Sequence, residues 1–281
     1  GKEGESMGTL IIIEDVSSEK RMKSTMSRYM DADLAEKLLE SGDNVLGGNE
    51  AIGTVFFSDI RSFTTLAEDL GVKRTVEMLN EYFSIMVECI QNEGGMLDKF
   101  IGDAIMAVFG APISYDDDPD RGLRAAIQMM LELKNYNDKR VLGGLLPIDH
   151  GMGLNTGQIV SGNIGSEKRM DYTVIGDAVN IASRVESSCK IYGAHILISD
   201  STFQALKATY RTRQIDKLIV KGKTVPVGIY EVLDYHNKES FPNMIEVLEM
   251  FNNGIEYYNE GNWSNAIKQF NKAQKGNPED Q

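Results

Sequence analysis

Apolar residues run through the chain in two rhythms. Thr54–Ile60 (TVFFSDI) is a short apolar stretch that ends in an aspartate, Asp59. Lys99–Phe109 (KFIGDAIMAVF) holds a second such stretch around Asp103, with Gly102-Asp103 as turn chemistry between two strand-like halves. Asp171–Glu186 begins as a strand, turns at Gly176-Asp177 and continues as a helix whose apolar stripe is Val179, Ile181, Ala182 and Val185. Between these lie helical periodicities at Val72–Gln91 and Arg121–Tyr136, and strand patterns at Ile148–Leu154 and Gln158–Ile164. Upstream, Gly8–Val16 is a β-branched run, and residues 17–45 repeat Met22, Met26, Tyr29, Met30, Leu34, Leu38 and Leu39 at helical steps before a Gly/Asn linker at Asp43–Glu50.

Strands alternating with long helices predict an α/β sandwich, with a ferredoxin-like βαββαβ core and additional strands. Helices should cover one face of the sheet, leaving the other for a partner and a substrate. An N-terminal helix and a C-terminal helical hairpin would flank this core.

The chemistry starts with the two aspartates. Each alone is more simply a turn residue after a strand. Together, on adjacent strands, two carboxylates repel unless a cation sits between them, and hard cations such as Mg²⁺ want oxygen ligands. Asn180 and Arg184 are four apart and share one helix face. An amide beside a guanidinium suits a ribose and a phosphate. The alternative is a solvated helix face with an Arg–Glu pair. No histidine stands out as a base: His150 and His195 flank strands as structural residues, and His236 lies in a linker.

Composition narrows the setting. The net charge of −13 argues against a nucleic-acid partner. A basic pocket from Lys168, Arg169, Arg184, Lys221 and Lys223 can still sit inside an acidic shell. The two cysteines, Cys89 and Cys189, fall in separate helical segments without metal-ligand spacing, which predicts buried thiols in a reducing, cytoplasmic setting. No apolar run is long enough for a membrane span. The start at Gly1 rather than Met suggests an excised fragment.

The segments FFSDI, DKFIGDAIMAVFG and DYTVIGDAVNIASRVES, in this order and spacing, resemble the class III nucleotide cyclase catalytic domain, from about Ala51 to Asp234. The resemblance implies that Asp59, Asp103 and the carbonyl of Ile60 bind two Mg²⁺ or Mn²⁺ ions per active site. It implies that Lys99 and Thr173 read the purine, that Asn180 holds the ribose, and that Arg184 stabilises the transition state. Lys221 matches a triphosphate-binding lysine. A Lys–Thr pair resembles the bicarbonate-responsive adenylate cyclases, whereas guanylate cyclases typically carry Glu and Cys. Lysine can only donate, which suits the acceptor N1 of adenine. One family arginine is replaced here, since the chain reads Gly157-Gln158-Ile159-Val160.

The implied function is adenylate cyclase: ATP to 3′,5′-cyclic AMP and pyrophosphate, in a head-to-tail homodimer with composite sites. The alternatives are a guanylate cyclase, or an inactive cyclase homology domain that scaffolds partners. Four segments follow. Residues 1–16 are similar to the last strand of a PAS-type sensor, 17–49 form a helical linker, and 50–235 are the cyclase domain. In 236–281, Gly254, Tyr257, Gly261, Ala266, Phe270, Ala273 and Pro278 match one tetratricopeptide repeat. A single repeat cannot bury its own face, which implies docking on the catalytic domain or on a protein partner.

Overall fold

The computed structural model describes residues 48–166, 169–219, 226–278 and 280. The expected sensor strand and linker helix, together with Lys168, Lys221 and Lys223, lie outside these residues.

The chain order is β1 (Asn49–Ile60), α1 (Phe63–Asn92), β2 (Met96–Ile101), β3 (Ala104–Phe109), α2 (Asp118–Leu142), β4 (His150–Ser166), β5 (Arg169–Ile175), α3 (Asp177–Tyr192), β6 (Ile196–Ser199), α4 (Asp200–Ala205), β7 (Thr212–Leu218), β8 (Val227–Val232), α5 (Met244–Asn259) and α6 (Trp263–Gly276). The eight-stranded sheet runs β2-β3-β1-β4-β6-β8-β7, with β5 pairing β4 off this path. β1 is central and buried on both faces, which explains its unbroken apolar run. This is the mixed α/β sandwich that the sequence pattern predicts. Among the described residues no helix is long and apolar enough to cross a membrane.

Three local readings are corrected. The expected break between Ile148–Leu154 and Gln158–Ile164 does not exist, because β4 is continuous and pairs β1 from Asn49↔Ser161 to Ile60↔His150. The turn-like residues Asn155, Thr156 and Gly157 are absorbed by tertiary contacts. Asn155 donates to the Ala178 carbonyl (3.0 Å) and accepts from Ser201 (3.0 Å), while Thr156 bonds Thr54 (2.9 Å) and Thr202 (3.1 Å). α1 begins at Phe63 rather than Val72, with a kink at Gly71, where φ is 72°. Periodicity finds only the part after the kink.

The third correction concerns the faces of the sheet. Helices were expected on one side only, yet they lie on both. α1 and α2 cover the face carrying Phe56, Ile60, Ile105, Met152 and Leu154. α3 packs on the opposite face, where Ile181, Val185 and Cys189 meet Leu197 and Ile229. Gly151 and Gly153 of β4 permit this, since a Cβ on Gly153 would lie 2.1 Å from the backbone nitrogen of Glu186.

The tail forms an antiparallel pair, with Gly254 of α5 against the Phe270 ring of α6. It docks on the catalytic segment. Phe241, Met244, Val247 and Ala273 form one apolar cluster with Leu233. The buried Arg213 guanidinium is held by Glu231 at 2.7 Å and by Asp280 at 2.5 Å.

Candidate active site

Asp59 ends β1 one residue before the buried Ile60. Asp103 sits in the two-residue loop joining β2 to β3, where Ile101 pairs Ala104 and Gly102 takes a φ of 67°. β1 and β3 are neighbours, which brings the Asp59 carboxyl close enough to perturb that of Asp103. Burial, and then the Asp59 side chain, push the Asp103 carboxyl up to about 6. Two such groups need a proton or a cation between them. The donors are all oxygen, which fits Mg²⁺ or Mn²⁺. Asp59, Asp103 and the Ile60 carbonyl are the oxygen donors that could hold such ions; among the described residues no group of three or more His, Cys, Asp or Glu side chains converges as a ligand set.

Glu186 of α3 was missed as part of this environment. It lies over Gly151, the partner of Asp59 in the β1–β4 pairing. Burial, followed by the charge of Asp59, pushes its carboxyl up to about 7. Among the described ion pairs none joins Arg184 to Glu186.

The strand end is clamped from behind. The Arg61 amide donates to the Asp149 carbonyl (2.8 Å), and its guanidinium pairs the Asp149 carboxylate (3.4 Å) and donates to the Ala194 carbonyl. His195 braces Asp149 from the other side at 3.0 Å. His150 is fully buried on Tyr82 (2.8 Å), and burial pushes its imidazole down to about 3. Both histidines are tied into hydrogen bonds within the fold. Cys89 and Cys189 are buried free thiols, as expected, and burial raises both.

Lys99 and Thr173 come together, although they are 74 positions apart, through a residue that sequence reasoning overlooked. The Asp98 side chain has no exposure and pairs with Lys99 Nζ at 3.3 Å. Thr173 Oγ1 donates to its two oxygens at 2.7 and 3.0 Å, and the Val174 amide donates at 3.2 Å. Adjacent strand residues normally point to opposite faces. A bulge makes the exception here: Leu97 pairs Ala107 and Lys99 pairs Met106, leaving Asp98 as the extra residue. The polar pair inside Leu97-Asp98-Lys99-Phe100 was the available signal.

Asn180 and Arg184 lie on α3, which starts after Gly176, where φ is 147° and a Cβ would meet the Gln158 carbonyl at 3.0 Å. Asn180 is exposed and Arg184 half-buried. The apolar side of the helix is Ala178, Ile181, Ala182 and Val185; Val179 is only partly covered.

Residues 49–235 match the adenylate and guanylate cyclase catalytic domain family. A terminal-differentiation specific adenylate cyclase of Dictyostelium discoideum is 35% identical over 268 residues, covering 92% of this chain and 12% of that protein. An adenylate cyclase of Anabaena cylindrica is 42% identical over 186 residues, covering 64% of this chain and 36% of that protein. The chain thus spans little more than a third, at most, of these two curated relatives. Among solved structures, the adenylyl cyclase CyaB from P. aeruginosa matches with a TM-score of 0.62 and 37% identity, covering 67% of this chain and 97% of that one. The guanylyl cyclase Cya2 matches with a TM-score of 0.60 and 39% identity, covering 66% and 94%. With its paired aspartates, its Lys–Thr pair and its α3 face arranged on this sheet, the chain belongs to the adenylate and guanylate cyclase catalytic domain family.

Proposed function

We propose that this domain is an adenylate cyclase that converts ATP to 3′,5′-cyclic AMP and pyrophosphate. The observation that carries the choice of ATP is the gathering of Lys99 and Thr173 around Asp98. Lys99 donates to adenine N1, and the Thr173 oxygen accepts from the 6-amino group. Asn180 orients the ribose. The 3′-oxygen attacks the α-phosphorus and gives its proton to water, while the bond from that phosphorus to the bridging oxygen breaks and pyrophosphate leaves with the electron pair. Charge builds on the phosphoryl oxygens, where the Arg184 guanidinium stabilises it. Lys221 takes the triphosphate. Asp59, Asp103 and the Ile60 carbonyl would hold Mg²⁺ or Mn²⁺, which when bound would lower the hydroxyl pKa and neutralise triphosphate charge.

We place Lys99 and Thr173 in one protomer and Asp59 and Asp103 in the other, giving two composite sites in a twofold, head-to-tail homodimer. The Lys–Thr pair supports membership of the bicarbonate-responsive subset. The 1–16 segment as a PAS-like strand, the 236–281 hairpin as a tetratricopeptide repeat with a protein partner, and a cytoplasmic setting complete the proposal.

The test is turnover by the purified chain with ATP and GTP side by side, in Mg²⁺ and in Mn²⁺, with bicarbonate or chloride at constant pH. Cyclic AMP should dominate and rise with bicarbonate. Preference for GTP would make it a guanylate cyclase. Loss of both activities under every metal condition would make it a scaffold. A flat bicarbonate response would remove it from the responsive subset.

A further inference from the structure

Asp98 touches neither the nucleotide nor the metal in the reaction proposed above, yet its side chain is completely buried. A buried carboxylate persists only when its oxygens are well supplied with donors. Here they are the Thr173 hydroxyl at 2.7 and 3.0 Å, the Val174 amide at 3.2 Å and the Lys99 ammonium at 3.3 Å. The bulge that turns Asp98 to the same side as Lys99 disrupts the β2–β3 ladder, so the local backbone is built around this contact.

A threonine hydroxyl can donate or accept, whereas a carboxylate can only accept. Asp98 takes the single proton of the Thr173 hydroxyl, so toward any further partner that oxygen is an acceptor alone. Lys99 has three N–H groups, and with one directed at Asp98 the others remain donors. Around Asp98 the pair therefore offers one acceptor and one donor of fixed polarity. The adenine edge presents an amino donor at C6 and an acceptor at N1. The edge of guanine or hypoxanthine presents an acceptor at C6 and an N1–H donor, which opposes both.

We propose that Asp98 is a positioning residue for purine selection, which fixes Thr173 as an acceptor and steadies Lys99 as a donor. This inference rests on Lys99 and Thr173 reading the base.

The test compares kcat/KM for ATP, inosine triphosphate and purine riboside triphosphate, which lacks any substituent at C6. In Asp98→Asn the side-chain amide can donate to Thr173, so the hydroxyl is no longer bound to accept from the base. The ATP-to-inosine triphosphate ratio should fall about tenfold or more, the scale of a lost matched pair of hydrogen bonds. The advantage of ATP over purine riboside triphosphate should shrink with it. A merely structural role would lower all three substrates alike, and unchanged ratios would overturn the proposal. Should Asp98→Asn fail to fold, Asp98→Ser is measured in the same way. Thr173→Val should lose the ratio and Thr173→Ser keep it; the reverse would also overturn the proposal. A wild-type chain that prefers inosine triphosphate or GTP sinks the underlying reading along with this one. A wild-type preference for ATP that survives in the Asp98 variants sinks this one alone.

Discussion

Gly153→Ala tests how firmly α3 must sit on β4. Gly153 lies in mid-strand, paired to Phe57 of β1 and Leu197 of β6. A Cβ there would stand 2.1 Å from the nitrogen, 2.5 Å from the Cα and 2.7 Å from the Cβ of Glu186. The obstacle is helix backbone, which has no rotamer to escape into. Restoring ordinary contact requires α3 to withdraw by more than about 1 Å, and overpacking of this kind costs about 1–3 kcal/mol. At roughly 2–4 °C per kcal/mol for a body of this size, the melting temperature should drop by about 2–12 °C. α3 also carries Arg184, two residues before Glu186, and a misplacement of about 1 Å can cost on the order of 100-fold in rate. On the proposal that Arg184 acts on the transition state, kcat should fall further than KM rises. Gly157→Ala is the control: its nearest neighbour is the Ala178 methyl at 3.2 Å, which can yield by tenths of an ångström. Thermal melts and steady-state cyclase assays on both variants decide it. A Gly153→Ala chain that melts like the wild type and keeps its kcat would refute the claim that backbone contact at this glycine positions the helix.

The other predictions are briefer. Asp59→Asn and Asp103→Asn should each remove nearly all Mg²⁺- and Mn²⁺-dependent turnover with the fold intact by circular dichroism; substantial activity in either sinks the metal assignment. His150 is neutral in the fold, pushed down to about 3 from an ordinary 6.5. Its contribution to stability is complete above pH 6.5 and drains as the pH falls from there toward 3, by up to about 1.4 kcal/mol per unit. NMR should find this imidazole uncharged at pH 5, and a titration near 6.5 would contradict the burial argument. Co-expressed Asp59→Ala and Arg184→Ala chains, each dead alone, should recover roughly a quarter of wild-type activity, since about half of random dimers are mixed and each holds one intact site. Heterodimers confirmed by mass but inactive would mean that each site is built within one chain.

Much of this arrangement was legible in the sequence because its signals are local. Strands that end in Asp59, the Gly102-Asp103 hairpin, and the passage from β5 through Gly176 into α3 all follow from residue order and turn chemistry. What was not legible depends on contacts distant in sequence. Asn155-Thr156-Gly157 has turn composition, but Ala178, Ser201, Thr54 and Thr202 satisfy its side chains inside a continuous strand. The second helical face followed from two glycines whose meaning depends on Glu186, more than thirty positions on. Asp98 was hidden because a regular strand would turn it away from Lys99, and only a bulge reverses that.

The placement of Asp59 shows how the periphery supports the site. A carboxylate that serves as a ligand must be held by elements that do not move. Asp59 is fixed first by its register, opposite Gly151 and beside the Ile60–His150 pair. It is fixed again through Arg61, which ties the end of β1 to Asp149 and to the loop that enters β6. Asp149 is braced by His195, and His195 Nδ1 meets the Tyr235 hydroxyl at 3.2 Å. Tyr235 lies two residues after Leu233, the catalytic-segment residue of the tail's apolar cluster. Asp280 closes the same junction on Arg213. The C-terminal hairpin is therefore anchored where the buttress behind the Asp59 end of β1 stops.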